Sequence, residues 1–198
     1  MNKPNLIDFP DRIETPRLYI RPCMPGDGSD VFKAIAESRS ELKPWLPFAR
    51  KEQTLDEVES GVRDSYAEFI KKTDIRLHIY LKETDEFLGS TGLHRIDWAV
   101  PKVEIGYWLN SRYTKKGYIV EAVKGLTRFA LNDLSCKRVE IRCDERNTAS
   151  RRVPERLGFK LEGTIRNDHL DENGTDARDT CVYSLIRRGP RLKVDYYM

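Results

Sequence analysis

The strongest constraint on this chain is a change of period at Gly117. Before it, Val103 to Asn110 (VEIGYWLN) reads as a strand; after it, Ile119, Ala122, Val123, Leu126, Phe129 and Ala130 share one helical face. A strand that feeds a helix through a glycine turn leaves the first N–H groups of that helix without partners. Such a turn is a ready anion site. Downstream, Arg138 to Cys143 reads as another strand, and a short helix from about Ala149 to Leu157 stops at Gly158, a C-cap residue.

The elements before Gly117 follow from the same two periods. Arg17 to Arg21 is a short strand broken by Pro22, Pro25, Gly26 and Gly28, and Ser29 to Leu42 is helical. Pro44 and Pro47 make Lys43 to Ala49 a loop carrying Trp45. Thr54 and Glu57 form a capping box for a second helix, with Leu55, Val58, Val62, Tyr66 and Phe69 at helical spacing. Three strands follow: Ile75 to Glu83, Phe87 to Ile96 after the turn Thr84-Asp85-Glu86, and Val103 to Asn110 after Pro101. A final pair of strands flanks Asn173-Gly174. The tail from Arg187 shows no usable period. The order is strand, two helices, three-strand meander, helix, strand, helix, hairpin, which predicts an α/β (α+β) fold in one domain over residues 1–198, with its core over about 14–188.

Composition narrows the function. At 198 residues the chain is long enough to bury a sizeable core. It lacks the apolar run of a membrane helix, and its N-terminus lacks a signal-peptide core, so a cytoplasmic protein is expected. The 35 basic and 32 acidic residues are mixed along the sequence, so charge gives no support to nucleic-acid binding. Cys23, Cys136, Cys143 and Cys181 form no C-x-x-C pair and only three histidines could join them. No metal site is expected, and the cysteines read as reduced thiols.

Five motifs then occur in order: ETPRLYIRP (Glu14 to Pro22), GLHRID (Gly92 to Asp97), EIGYWL (Glu104 to Leu109), KGYIVEAV (Lys116 to Val123) and N-x-x-S-R-R-V-x-E-R-L-G-F (Asn147 to Phe159), with LEGTIRN (Leu161 to Asn167) closing the series. In this order they resemble the GNAT superfamily of N-acetyltransferases, and within it the RimJ/RimL branch that acetylates N-terminal α-amines of ribosomal proteins. The resemblance implies a mixed sheet of about six or seven strands flanked by about four helices, acetyl-CoA as cosubstrate, and direct attack by a primary amine in a ternary complex. Its acceptor would be a ribosomal-protein N-terminus. Related chains acetylate small amines such as polyamines, amino acids or antibiotics, and a non-catalytic acyl-CoA sensor is a further alternative. Homodimers are common in the family, but no feature of this sequence establishes one.

The same resemblance distributes roles. Trp108, Leu109, Asn110, Lys115, Lys116, Gly117, Tyr118, Ile119, Asn147 and Arg152 would contact CoA, with Arg151, Arg152 and Arg156 in reach of its 3′-phosphate or else forming a solvated helix face. The family's diphosphate loop usually reads R/Q-x-x-G-x-G/A; here Thr114 and Ile119 replace its first and last positions, and the β-branched Ile119 is expected to crowd the phosphates. Ser150 would meet the departing thiolate, or be an ordinary helix-start residue beside an Asn147 or Thr148 cap. Pro154 has no N–H for the Ser150 carbonyl. Glu104, His169 and His94 are the candidate bases. A backbone N–H of Tyr107 to Leu109 would stabilise the oxyanion if that strand parts from its neighbour. Trp45 would line the acceptor mouth or plug the second helix.

Overall fold

Burial that alternates along strands such as Leu18–Pro22 and Arg138–Asp144, with one-sided burial along the helices, leaves a single sheet with a core on each face. The computed structural model describes residues 3–187. Eight strands occur in chain order: β1 (Ile13–Glu14), β2 (Leu18–Pro22), β3 (Ile75–Leu81), β4 (Phe87–Asp97), β5 (Lys102–Leu109), β6 (Arg138–Asp144), β7 (Lys160–Leu170) and β8 (Ala177–Ile186). Four α-helices connect them: α1 (Gly28–Leu42), α2 (Leu55–Lys71), α3 (Tyr118–Asn132) and α4 (Thr148–Arg156). The sheet order is β1-β2-β3-β4-β5-β6-β8-β7, one strand more than the upper sequence expectation. The addition, β1, is only two residues long, too short to carry a period.

Thr54 and Glu57 form the expected capping box at the start of α2. Ala122, Val123, Leu126 and Ala130 of α3 and Val153 of α4 pack on one sheet face with Leu77, Ile79, Ile105 and Ile141. On the other face Val31 and Ile35 of α1 and Val58 and Val62 of α2 cover Tyr80, Phe87 and Trp108. The four cysteines are free and buried.

Pairing between β5 and β6 positions the site. These strands run parallel, as the crossover through α3 requires, but their pairing covers only Lys102↔Arg138, Val103↔Val139 and Glu104↔Glu140. Beyond Glu104, β5 stays paired with β4 as far as Leu109, and β6 with β8 as far as Asp144. The two strands therefore part, and the backbone groups that β5 directs toward β6 lose their ladder partners.

The start of α1 is pinned to the sheet by Asp27. Its carboxylate pairs with both guanidinium N–H groups of Arg21 at 2.7 and 2.8 Å, accepts from Met24 N at 2.8 Å, and lies 2.9 Å from Nδ1 of fully buried His78. Burial alone would raise the Asp27 pKa, but the hydrogen bonds from His78, Arg21 and Met24 outweigh it and hold the carboxyl well below the usual range. A depressed folded-state pKa contributes stability that is present above the unfolded carboxylate value, about 4, and is lost as pH falls through the folded value. Melting curves taken from about pH 6 to about pH 3 should show the wild type losing a stabilisation that Asp27→Asn lacks throughout. Parallel curves for the two proteins would exclude this anchor.

Candidate active site

Where β5 ends, the chain is tied down before it turns into α3. Asn110 is buried, donates to Glu37 Oε2 of α1 at 2.8 Å and accepts from Arg112 N at 3.0 Å, so its side chain holds the turn against α1. Thr114 Oγ1 donates to the Ser111 carbonyl at 2.9 Å. Lys115 and Gly117 then take left-handed conformations, φ 62° and 80°, which cost a residue with a Cβ about 1–2 kcal/mol each. Gly117 caps α3, and the first intrahelical bond runs from Glu121 N to Gly117 O at 3.1 Å. The amides of Tyr118, Ile119 and Val120 precede that bond and sit at the positive end of the helix.

Arg17, just before β2, braces this turn. Its guanidinium donates to the Lys116 carbonyl at 3.0 Å and to Glu121 Oε2 at 2.6 Å, and lies 4.5 Å from the centre of the Tyr118 ring. Glu121 also accepts from Thr15 Oγ1 and Arg17 N, both at 2.7 Å. Burial raises its pKa, but these bonds pull it below the ordinary value. Ile119 is half-buried and packs against the sheet core.

Across the parting of β5 and β6, Tyr107 reaches α4. Its hydroxyl donates to the Ser150 carbonyl at 2.9 Å and accepts from Ser150 Oγ at 3.2 Å. That carbonyl is the one Pro154 cannot serve, so a side chain from another element satisfies it. Burial pushes the Tyr107 phenol far above its usual pKa, keeping it a donor. Asn147 caps α4 by accepting from Ser150 N at 3.0 Å. Its Oδ1 is thereby committed to the fold while Ser150 Oγ faces Tyr107.

Two cavities lie on opposite faces of the sheet. One of about 810 Å³ lies along α3 and α4, with Gly117, Val120, Lys124, Arg156 and Leu157 in its wall. The other, about 390 Å³, opens on the α1/α2 face between Leu46, Phe48, Val58, His94, Tyr107 and Trp108. Tyr107 lines the second cavity and bonds Ser150 of α4, the helix whose Arg156 and the following Leu157 border the first. Free helix-start amides, Lys124 and Arg156 on a long groove, and an unpaired strand edge fit a polyanionic cofactor with a slender arm. Among the described residues, no group of acidic, histidine or cysteine side chains is arranged to hold a metal ion, and no helix is long and apolar enough to cross a membrane.

The candidate bases separate. His94 lines the smaller cavity, and its Nδ1 lies 2.8 Å from Asp74 Oδ2, a partner no sequence spacing revealed. Its ring lies over Gly92 and Gly106, where a Cβ would meet it at 2.7 and 3.0 Å. Glu104 pairs opposite His94 across β4 and β5. Burial raises the Glu104 pKa against the opposing pull of Arg95 and Arg142, whose Nε atoms stand 3.5 and 3.7 Å away. His169 stands apart on β7, 3.4 Å from Asp144 and 3.3 Å from Thr180 Oγ1, and lines neither cavity.

Other assignments change as well. Trp108 is buried against Phe48 and Phe87 and pairs with Ser90 of β4. Arg151 is spent on Tyr183 and the Glu145 carbonyl, whereas Arg152 is exposed. Trp45 lies 5.8 Å from the Arg178 guanidinium, and its neighbours Leu46 and Phe48 line the smaller cavity.

Comparison with known proteins identifies the family. The family described as Acetyltransferase (GNAT) domain matches residues 17–160. YdaF of Bacillus subtilis (strain 168), whose name assigns it provisionally as a ribosomal N-acetyltransferase, is 32% identical over 172 residues, covering 86% of this chain and 92% of YdaF. The ribosomal-protein-serine acetyltransferase of Escherichia coli (strain K12) is 32% identical over 75% of this chain and 84% of its own. Among solved structures, the ribosomal L7/L12 alpha-N-protein acetyltransferase RimL, in complex with coenzyme A, shares the fold with a TM-score of 0.82. That match covers 88% of this chain and 97% of RimL at 20% identity.

A Gly117→Val variant should lose coenzyme A affinity by about tenfold or more in calorimetry, because a β-branched residue is strained at φ 80°. Undiminished affinity would place the phosphates elsewhere.

Proposed function

This chain belongs to the GNAT acetyltransferase family and transfers acetyl groups from acetyl-CoA, and from that premise we propose that its acceptor is the N-terminal α-amine of a ribosomal protein. The observation that carries the reading is the parting of β5 from β6, beside which Tyr107 lines an open cleft on one sheet face and bonds α4, the helix whose Arg156 borders a groove on the other face. Ribosomal-protein acetyltransferases among its relatives support the acceptor class.

Acetyl-CoA supplies an activated thioester. Gly117 and the amides that follow it receive the diphosphate, while Lys124 and Arg156 add positive charge along the groove. The parted edge of β5, over Tyr107 to Leu109, offers backbone N–H groups to the carbonyl oxygen as it gains negative charge. An amine entering past Leu46 and Phe48 meets His94. Held by Asp74, His94 accepts the amine's proton at Nε2, with Glu104 behind it in the same row of side chains. An α-amine has a pKa near 8, so only modest help from a base is needed. Ser150, held in place by Tyr107, gives a proton to the departing thiolate and regains one from solvent water as CoA leaves.

Ser150→Ala should lower kcat by about 10²-fold or more, in the range of general acid catalysis, with little change in acetyl-CoA affinity. His94→Gln should lower kcat/KM most at low pH, where the amine is protonated. Equal rates in wild type and both variants would remove these residues from the mechanism. The acceptor class is tested by incubating ribosomal proteins and their N-terminal peptides with acetyl-CoA and locating the acetyl group by mass spectrometry. Acetylation confined to lysine side chains or to small amines would contradict the proposal.

A further inference from the structure

On the α1/α2 face, three rows of residues cross β3, β4 and β5. The register aligns Arg76, Gly92 and Gly106 in one row, and His78, Ser90 and Trp108 in the next. On the other side of the glycine row stand His94 and Glu104, with Asp74 at the start of β3 bonded to His94. The two glycines make the middle row a shallow trough that His94 overhangs and Arg76 closes at one end.

Arg76 lines the smaller cavity. Partial burial removes hydration from its guanidinium and pulls its pKa down from the ordinary arginine value. The carboxylates nearby are committed, Asp74 to His94 and Asp27 to Arg21 and His78. Among the described residues the Arg76 side chain has no hydrogen bond or ion pair. Ser90, from the adjoining row, lines the same cavity, is only 4% exposed, and its Oγ has no partner. A partly desolvated cation and an unpartnered buried hydroxyl are both costly to maintain unless a ligand completes them. A group that only accepts hydrogen bonds and carries negative charge completes both, and a carboxylate matches the planar guanidinium fork.

We propose that Arg76 and Ser90 receive a carboxylate carried by the acceptor, so that this protein prefers amines with an acidic group close to the nitrogen that is acetylated. The proposal rests on the reading of the smaller cavity as the acceptor cleft. A peptide supplies such a group when its first or second residue is Asp or Glu, and a free amino acid supplies it as its α-carboxylate. The side chains of Arg76 and His94 flank the same glycine, Gly92. Engagement of the carboxylate at Arg76 thus brings the amine toward His94.

The test uses matched acceptors that differ only in carboxylate against carboxamide: peptides beginning with Asp or Asn, peptides with Glu or Gln at the second residue, and free amino acids against their amides. The wild type should favour the acid by about tenfold or more in kcat/KM, as a charge-assisted bidentate pair would give. Arg76→Gln should bring that ratio close to one, and Arg76→Lys should restore part of it. A wild-type ratio near one, or a ratio that survives in Arg76→Gln, would overturn the proposal. A preference seen with free amino acids and absent from peptides would keep the role of Arg76 and remove a protein N-terminus as the acceptor. Calorimetry with N-acetylaspartyl and N-acetylasparaginyl dipeptides in the presence of CoA reads the same discrimination without turnover, and equal affinities there would contradict it.

Discussion

The separation of β5 from β6 after Glu104 is the constraint on which the rest of this structure depends. Two parallel strands joined by a helical crossover would ordinarily stay paired along their length. Here the pairing covers three residue pairs and then ends. Each backbone group left without a partner is a cost of about 1–3 kcal/mol when buried, so the gap persists only if something else holds it. Tyr107 does so by bonding both the carbonyl and the hydroxyl of Ser150, and Pro154 ensures that the carbonyl is available. A proline that removes a hydrogen bond from a short helix therefore creates the attachment point for a strand on the other side of the opening.

This opening divides the work between the two faces. On one, α3 and α4 present helix-start amides and basic side chains along a long groove. On the other, α1, α2 and their connecting loop form a cleft whose floor is the sheet itself. The glycines at positions 92 and 106 keep that floor low enough for His94 to lie flat across it. In the proposed reaction the two substrates arrive from opposite faces, and the unpaired edge of β5 is where they meet.

Much of this was legible in the sequence wherever a local period or cap carries the information. The change of period at Gly117, the Thr54–Glu57 box and the Pro154 defect are all short-range features, and each has its counterpart in the structure. The Asp74–His94 pair, the Tyr107–Ser150 bridge and the Arg17–Glu121 brace are not local: they depend on strand register and on contacts between residues 20 to 104 positions apart. His94 and His169 looked equivalent in the sequence because nothing in their spacing tells which face of which strand they occupy. Register decides it, placing His94 over a glycine row and His169 beside Asp144.

The most direct test of the account is amide hydrogen exchange with and without acetyl-CoA. Two short segments should gain protection together: the unpaired edge of β5 at Tyr107 to Leu109, and the start of α3 at Tyr118 to Val120. Protection of both would mean that the cofactor spans from the helix start to the parted strand. Binding with protection elsewhere, leaving the β5 edge exchanging as before, would contradict the claim that this opening is the place of reaction.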